Sequence, residues 1–596
     1  MNVLFNFSLE ATKFGFGNVL ELLCGLALFL YGMDVMGDSL KKLAGGKLES
    51  FLGRLTSNRF KGFLLGFFVT AVIQSSSATT VMLVGFVNSG IMKLGQTIGI
   101  IMGANVGTTV TSWLLSLSGL SGDMWWIKIF KPTSFTPILA AIGVIMTMVG
   151  KDSKKKGIGT ILLGFAVLMF GMDAMSGAMD GLKDSEAFAQ ALIMFENPVL
   201  GIITGTLLTA IIQSSSASVG ILQALAITGT IPYSVAIPII LGQNIGTTIT
   251  PVISAISGNT DSKRVALACV YIKMIGVVVV AVAFYILNSI VSFAFMEQNI
   301  SAFNIAVVHT LFNIISTVIL IPFCQGIEKL VTKTIRGGKQ ASDDIFGALD
   351  DRFLDMPGFA VDKSNELVCK MADITRQSIL DATSMINHFD AAKVDALIET
   401  ESLVDKYEDK LSTYLVKLSA RDLTESDSKQ ITELLHVIGD VERISDHSVN
   451  LLEVAQEMND KGIEFSKEAQ KDLEVFISAV CDIITLTTDS LINNDLEGAK
   501  MVEPLEQVID KLKLKIKASH IQRLKQGNCT VEYGFILADI LTNCERIADH
   551  CSNIAVCMLE IAQGSFETHE YLSHVKYDGE NNFAEKYSEY KKKYTI

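Results

Sequence analysis

Two short polar runs interrupt long apolar stretches of this chain, and they are the same run. Gln74-Ser75-Ser76-Ser77-Ala78 returns as Gln213-Ser214-Ser215-Ser216-Ala217. Gly32-Met33-Asp34 returns as Gly171-Met172-Asp173. Gly103-Ala104-Asn105-Val106-Gly107-Thr108-Thr109 returns as Gly242-Gln243-Asn244-Ile245-Gly246-Thr247-Thr248. All three pairs are offset by 139 residues. A gapless offset shared by three motifs implies two homologous halves, and the fold must accommodate both.

Charge and apolarity are segregated along the 596 residues. Residues 1–325 carry 18 Lys+Arg against 14 Asp+Glu, a net of +4; residues 326–596 carry 31 against 49, a net of −18. Mean hydropathy is +0.40 although 19% of residues are charged. The chain therefore reads as an apolar membrane half followed by an acidic, soluble half. The acidic balance argues against nucleic acid as a partner, because neutralising phosphates takes a basic face. The nine Cys show no C-x-x-C pairing, which suits free thiols in a reducing compartment. The N-terminus lacks a basic region ahead of an apolar core, so no removable signal peptide is expected.

A hydrocarbon core of about 30 Å takes about 20 apolar residues per helical crossing. Candidate stretches lie near 16–37, 62–90, 91–118, 132–149, 157–180, 198–229, 232–256, 265–294 and 301–323. Loop charge orients them. The loop 41–61 carries six Lys and Arg against Glu49, whereas its repeat mate 180–196 carries Lys183 against four acids. A loop that is basic in one copy and acidic in the other is what an inverted repeat predicts. A consistent topology follows if 62–90 and 198–229 are re-entrant hairpins and the other seven stretches cross. Trp125 and Trp126 then fall at an outer interface, with Lys128 and Lys131 as the misfit. Lys273 lies inside a crossing and is expected to snorkel from its inner end.

The expected organisation is a transport region at 1–330, with repeats at about 16–149 and 157–295 and an extra helix at 301–323. A linker occupies 331–360, a soluble helical region 361–562, and a tail 563–596. The fold class is all-α throughout.

Irregular backbone survives at membrane depth only where protein or a watery cavity satisfies it. A broken helix exposes N–H groups that bind anions. Serine hydroxyls and glutamine amides both donate and accept, as a partly protonated phosphate requires. Gln74, Ser75, Ser76, Ser77, Gln213, Ser214, Ser215 and Ser216 are the candidate anion ligands. Thr79, Thr80, Asn105, Thr108, Thr109, Asn244, Thr247 and Thr248 bring hard oxygens suited to an alkali cation or to the substrate's surroundings. No Arg or Lys lies in these motifs, so a bound cation would offset the anion and couple its movement to a gradient.

The doubled Q-S-S-S with the doubled G-x-N-x-G-T-T resembles the type II sodium-dependent phosphate cotransporter family over residues about 16–325. The resemblance implies sodium (Na+) as coupling ion, inorganic phosphate as substrate, and both Gln-Ser-Ser-Ser runs in the site. The two runs continue differently, Ala78-Thr79-Thr80 against Ala217-Ser218-Val219, so the halves are not equivalent. The stretch His309-Thr310-Leu311-Phe312-Asn313 also resembles a family segment; His309 is expected to be a hydrogen-bonded packing residue.

In the soluble half, long amphipathic helices repeat a second pattern. Glu442-Arg443-Ile444-Ser445-Asp446-His447 returns as Glu545-Arg546-Ile547-Ala548-Asp549-His550, offset by 103. Glu401 and Asp405 return as Glu506 and Asp510, offset by 105. On a helix, i and i+4 share a face, so four carboxylates per repeat could meet. Clustered carboxylates suit a divalent cation or iron. These motifs resemble the PhoU family of phosphate-signalling regulators, which implies a tandem three-helix bundle, two carboxylate metal sites and control of phosphate entry. The tail is expected to be a terminal helix or mobile.

Nothing supports catalysis or ATP drive: no P-loop, G-x-G-x-x-G or nucleophile–base pair is present. The expected function is sodium-coupled phosphate symport at the cell membrane by alternating access, with the C-terminal region cytoplasmic. A phosphate exporter of the same fold, or a membrane phosphate receptor, are the alternatives. Expected partners are phosphate and membrane lipid, with a homodimer allowed.

Overall fold

The computed structural model describes residues 15–44, 58–119, 132–150, 152–179, 194–337, 345–527, 529–563 and 581–596. Most of the two loops whose charges invert, and Trp125, Trp126, Lys128 and Lys131, lie outside these residues. Among the described residues every regular element is a helix. The chain divides into two compact units, Met1–Arg352 and Phe353–Ile596.

The first unit contains α1 (Phe16–Ala44), α2 (Arg59–Ile73), α3 (Ser76–Asn88), α4 (Leu94–Gly107) and α5 (Thr109–Ser116). There follow α6 (Pro132–Val149), α7 (Ser153–Met179), α8 (Pro198–Ile212), α9 (Ser215–Ile227), α10 (Tyr233–Gly246) and α11 (Ile249–Ala255). The unit closes with α12 (Thr260–Val291), α13 (Ala302–Leu320) and α14 (Cys324–Thr334). Among the described residues, seven helices are long and apolar enough to cross a membrane, six of them in this unit. The seventh, Lys467–Asn493, carries Lys471, Asp472, Glu474, Asp482 and Asp489 and buries its apolar stripe inside the second unit. It is a core helix of that unit, not a span.

The packing of α1 on α7 fixes how the two repeats relate. A Cβ on Gly25 would lie 2.9 Å from Gly171 O, and one on Gly32 would lie 2.6 Å from Gly164 O. Gly164 and Gly171 are the 139-residue mates of Gly25 and Gly32, so the contact is reciprocal. Residue numbers rise on one helix as they fall on the other, so the pair is antiparallel. Asn18 Nδ2 donating to Ala178 O at 3.2 Å continues the same register. Antiparallel symmetry mates that span one membrane belong to repeats of opposite orientation.

The hairpins α2–α3 and α8–α9 occupy the positions expected for the polar runs. Helices of 15 and 13 residues rise only about 20 Å, too short for either to cross. One face of α2 exposes Phe60, Leu64, Phe68 and Val72, and one face of α8 exposes Val199, Ile203, Leu207 and Ile211. These stripes are mates at 139 residues and suit lipid. The opposite faces press on α4 and α10. A Cβ on Gly103 would lie 1.9 Å from Phe63 O, and one on its mate Gly242 would lie 2.0 Å from Ile202 O. Only glycine allows backbones that close.

The halves interlock through the helices that follow the G-x-N-x-G-T-T motifs. Helix α5 packs on α9 of the other repeat, and its mate α11 packs on α3. Helices α12 and α13 lie against both repeats.

The second unit contains α15 (Pro357–Asn387), α16 (Val394–Ser419) and α17 (Glu425–Lys461), then α18 (Lys467–Asn493), α19 (Leu496–Ala499), α20 (Val502–Lys525) and α21 (Val531–Gln563). The long helices make two successive three-helix bundles. The tail forms α22 (Asn581–Lys593), packed on α20. Lys593 ion-pairs with Asp482, and the adjacent Tyr594, only 4% exposed, donates to the same carboxylate.

Candidate functional site

The site begins with two left-handed glutamines. Gln74 (φ 59°) ends α2 and Gln213 (φ 58°) ends α8. Their N–H groups bond Thr70 O and Thr209 O, both at 2.8 Å. The next residues, Ser75 and Ser214, are extended and cap the following helices: each hydroxyl accepts from Ala78 N or Ala217 N at 3.2 Å. A non-glycine residue in this conformation costs roughly 1–2 kcal/mol, so the strain is stored twice at equivalent points. The break leaves the first-turn N–H groups of α3 and α9 directed at the polar run.

Hydroxyl pairs tie each hairpin behind its break. Thr70 donates to Thr79 at 3.0 Å, and its mate Thr209 donates to Ser218 at 2.8 Å. Thr79 and Thr80 also donate back to Ser75 O and Ser76 O, so their hydroxyls serve the helix start.

The G-x-N-x-G-T-T motifs form a second, milder break in each repeat, a turn at which Thr108, Thr247 and Thr248 keep right-handed helical dihedrals. Helix α4 gives way to α5 at Thr108, and α10 to α11 at Thr247 and Thr248. The threonine hydroxyls fold back: Thr108 donates to Ala104 O, Thr109 to Val106 O, Thr247 to Asn244 O and Thr248 to Ile245 O. Each keeps its oxygen lone pairs for another partner.

The halves then diverge. In the first, Thr111 donates to Gln74 Oε1 at 2.7 Å. Its mate Thr250 has a buried hydroxyl with no partner among the described residues, and Gln213 is exposed. Ser75, Ser76 and Ser77 are half-buried, whereas Ser215 and Ser216 are buried. Asn244 donates to Ile240 O and accepts from Lys273 at 2.8 Å. Among the described residues, the side chain of Asn105 makes no such bond.

Lys273 does not snorkel. It is 7% exposed, and its ammonium also donates to Asn313 Oδ1 at 3.1 Å. Sequence reasoning missed this because the helix pattern places Lys273 in a crossing without saying what crosses beside it. The run His309–Asn313 held the available signal. Asn313 donates to His309 O, and His309 Nδ1 pairs with Ser112 Oγ at 2.9 Å. His309 is thus the hydrogen-bonded packing residue expected. Ser112 follows Thr111, so a polar chain runs from Lys273 through α13 to Gln74. Gln223 of α9 donates to Ser112 O at 3.0 Å, joining the second hairpin to the same point.

In the second unit the carboxylates gather in threes. Glu401, Asp405 and Asp446 place ligand atoms within 4.8 Å of one another, as do Glu506, Asp510 and Asp549. Neither cluster includes the fourth expected carboxylate. Glu442 faces Arg443 at 3.7 Å, and Glu545 is ion-paired to Lys513. Burial, then Asp405, pushes the Glu401 and Asp446 carboxyls above their ordinary range; burial, then Asp510, does the same for Asp549. Groups that resist ionising together are ones a cation would stabilise, so both trios fit a hard divalent ion. The two repeats meet reciprocally: His447 pairs with Asn543 and His550 with Asp440, each at 2.8 Å.

Known proteins resemble both parts. The profile described as Na+/Pi-cotransporter matches residues 28–177 and 183–305, and the PhoU domain profile matches 368–455 and 476–558. A Salmonella typhimurium protein, provisionally named inorganic phosphate export protein YjbB, is 22% identical over 93% of this chain and 99% of its own length. The uncharacterized YqeW of Bacillus subtilis is 30% identical over 51% of this chain and 94% of its own. Mouse sodium-dependent phosphate transport protein 2A is 37% identical over 99 residues, 16% of this chain and 15% of its own.

Proposed function

The chain belongs to the Na+/Pi-cotransporter family and carries a PhoU domain, and on that premise we propose that it couples inorganic phosphate movement to sodium. The supporting observation is the pair of broken hairpins with left-handed glutamines, Gln74 and Gln213, at symmetry-related points. Phosphate is bound by the N–H groups and hydroxyls of Gln74–Ser77 and Gln213–Ser216, without a cationic fork that would slow release. Sodium takes carbonyl, amide and hydroxyl oxygens of the G-x-N-x-G-T-T motif. The two inverted repeats rock about this centre, exposing it to each side in turn.

The PhoU-like unit lies in the cytoplasm and tunes transport. The Glu401–Asp405–Asp446 and Glu506–Asp510–Asp549 clusters would hold its metal, whose charge would offset the gathered carboxylates.

The deciding experiment is labelled phosphate uptake into proteoliposomes under an imposed sodium gradient. Uptake that ignores sodium, or that survives Ser76→Ala with Ser215→Ala, would sink the reading. A second reading concerns direction alone: the name carried by the full-length YjbB relative favours export. Efflux from phosphate-loaded cells, with and without the protein, separates the two.

A further inference from the structure

Lys273 is a buried amine with no acidic partner among the described residues. It lies about 20 Å along α12 from the helix start, well inside the span. Among the described residues it forms no ion pair; its partners are two neutral amide oxygens, of Asn244 and Asn313. Desolvating an ammonium is expensive, and two amide dipoles return only part of that cost. A charge kept there under those terms has a task.

Its position indicates the task. Asn244 is the asparagine of the second G-x-N-x-G-T-T break, where an alkali cation would seek amide and hydroxyl oxygens. The ammonium already holds that amide oxygen. At the first break the mate, Asn105, is 9% exposed and has no side-chain hydrogen bond among the described residues. The 139-residue mate of Lys273 is Ser134, which carries no charge. The two half-sites are therefore built alike in backbone and differently in charge: one asparagine faces a tethered cation, the other is open.

We propose that Lys273 is a built-in cation that takes the place of a coupling sodium ion at the second half-site, leaving the Asn105 half-site for a mobile one. An ammonium suits the exchange, being monovalent, compact and content with oxygen ligands. Two of its three donors are engaged, which leaves one for a further acceptor. The chain Asn313–His309–Ser112–Thr111–Gln74 connects this fixed charge to the first Gln-Ser-Ser-Ser run. The consequence is a transport cycle with one sodium fewer than two equivalent half-sites would carry. The inference rests on the sodium reading given above.

The test is labelled phosphate uptake by the full chain in proteoliposomes, with sodium titrated at clamped potential. Lys273→Ala opens the space and removes the charge, so the apparent order in sodium rises by about one as a second ion enters. Lys273→Met removes the charge but fills the space; its sodium order stays as in the wild type, while phosphate KM rises by about tenfold or more. Lys273→Arg keeps the wild-type sodium order. A folded Lys273→Ala with wild-type sodium order and phosphate KM overturns the assignment. If Lys273→Ala does not fold, Asn105→Ala decides: it lowers the sodium order by about one, and an unchanged sodium response overturns the proposal. Wild-type uptake indifferent to sodium is a different result, which removes the sodium reading itself.

Discussion

Thr111 donates a 2.7 Å hydrogen bond to Gln74 Oε1, while its repeat mate Thr250 keeps a buried hydroxyl without a partner among the described residues. One polar run is thus held by its own repeat and the other is not. Removing the first bond should matter and removing the second hydroxyl should not. A side-chain hydrogen bond is worth about 1 kcal/mol, which is roughly fivefold in binding. Thr111→Val is therefore expected to raise phosphate KM about fivefold. Thr250→Val exchanges an unpaired buried hydroxyl for a methyl and should leave KM within about twofold and stability equal or higher. Initial uptake rates across phosphate concentrations distinguish the two; equal effects would show that the asymmetry has no role in binding.

The α1–α7 crossing predicts where the membrane unit breaks. A Cβ on Gly32 would meet Leu168 N at 2.3 Å, so the helices must separate to admit any side chain. Gly32→Leu should cost several kcal/mol, beyond the usual overpacking range of about 1–3 kcal/mol, because backbone rather than a flexible side chain is displaced. Gly177, on the same α7 helix, has open space around its missing Cβ. Gly177→Ala should leave the melting temperature unchanged or raise it, with a helix-propensity gain of up to about 1 kcal/mol. Thermal unfolding of purified protein in detergent reads both.

Much of this arrangement was legible in the sequence, and the reason is symmetry. A constant offset transfers each local feature to a second place, so the break at Gln213 follows from the one at Gln74, whereas the contact of Gly25 with Gly171, made between the two copies, does not follow from the offset. What could not be read lies off the symmetry. Lys273 has no charged mate, and its partners Asn244 and Asn313 come from α10 and α13, distant in sequence. Glu442 and Glu545 sit at the right helical spacing yet lie outside their clusters, because rotamer choice and neighbours such as Lys513 decide which carboxylates converge. Spacing on one helix specifies a face; it does not specify what opposes that face.

That same difference separates the two carboxylate clusters. The second holds the Lys513 ammonium on Glu545, whereas the residue at the equivalent place in the first is Glu408. Cation binding should therefore be tighter at Glu401, Asp405 and Asp446. Added manganese should raise the melting temperature of the soluble unit's transition in the full chain. Asp405→Asn should abolish most of that rise, and Asp510→Asn should remove less of it. Equal losses would show that Lys513 does not weaken its cluster.

Glu433 supplies a pH signature independent of any metal. Burial pushes its carboxyl from the ordinary 4.5 to about 7. The folded state therefore holds a proton that the unfolded chain releases between those values. The associated stability is fully present below pH 4.5 and is lost as pH rises through about 7. A shift of this size corresponds to roughly 3 kcal/mol. Glu433→Gln keeps the neutral form at every pH. Its melting temperature relative to wild type should be near equal at low pH and should climb from mildly acidic to mildly alkaline conditions, before levelling off. The melting curves of the full chain, taken with chelator present to silence the carboxylate clusters, give the comparison. A difference between the two proteins that stays flat across this range would mean that Glu433 ionises in the folded state at its ordinary pH.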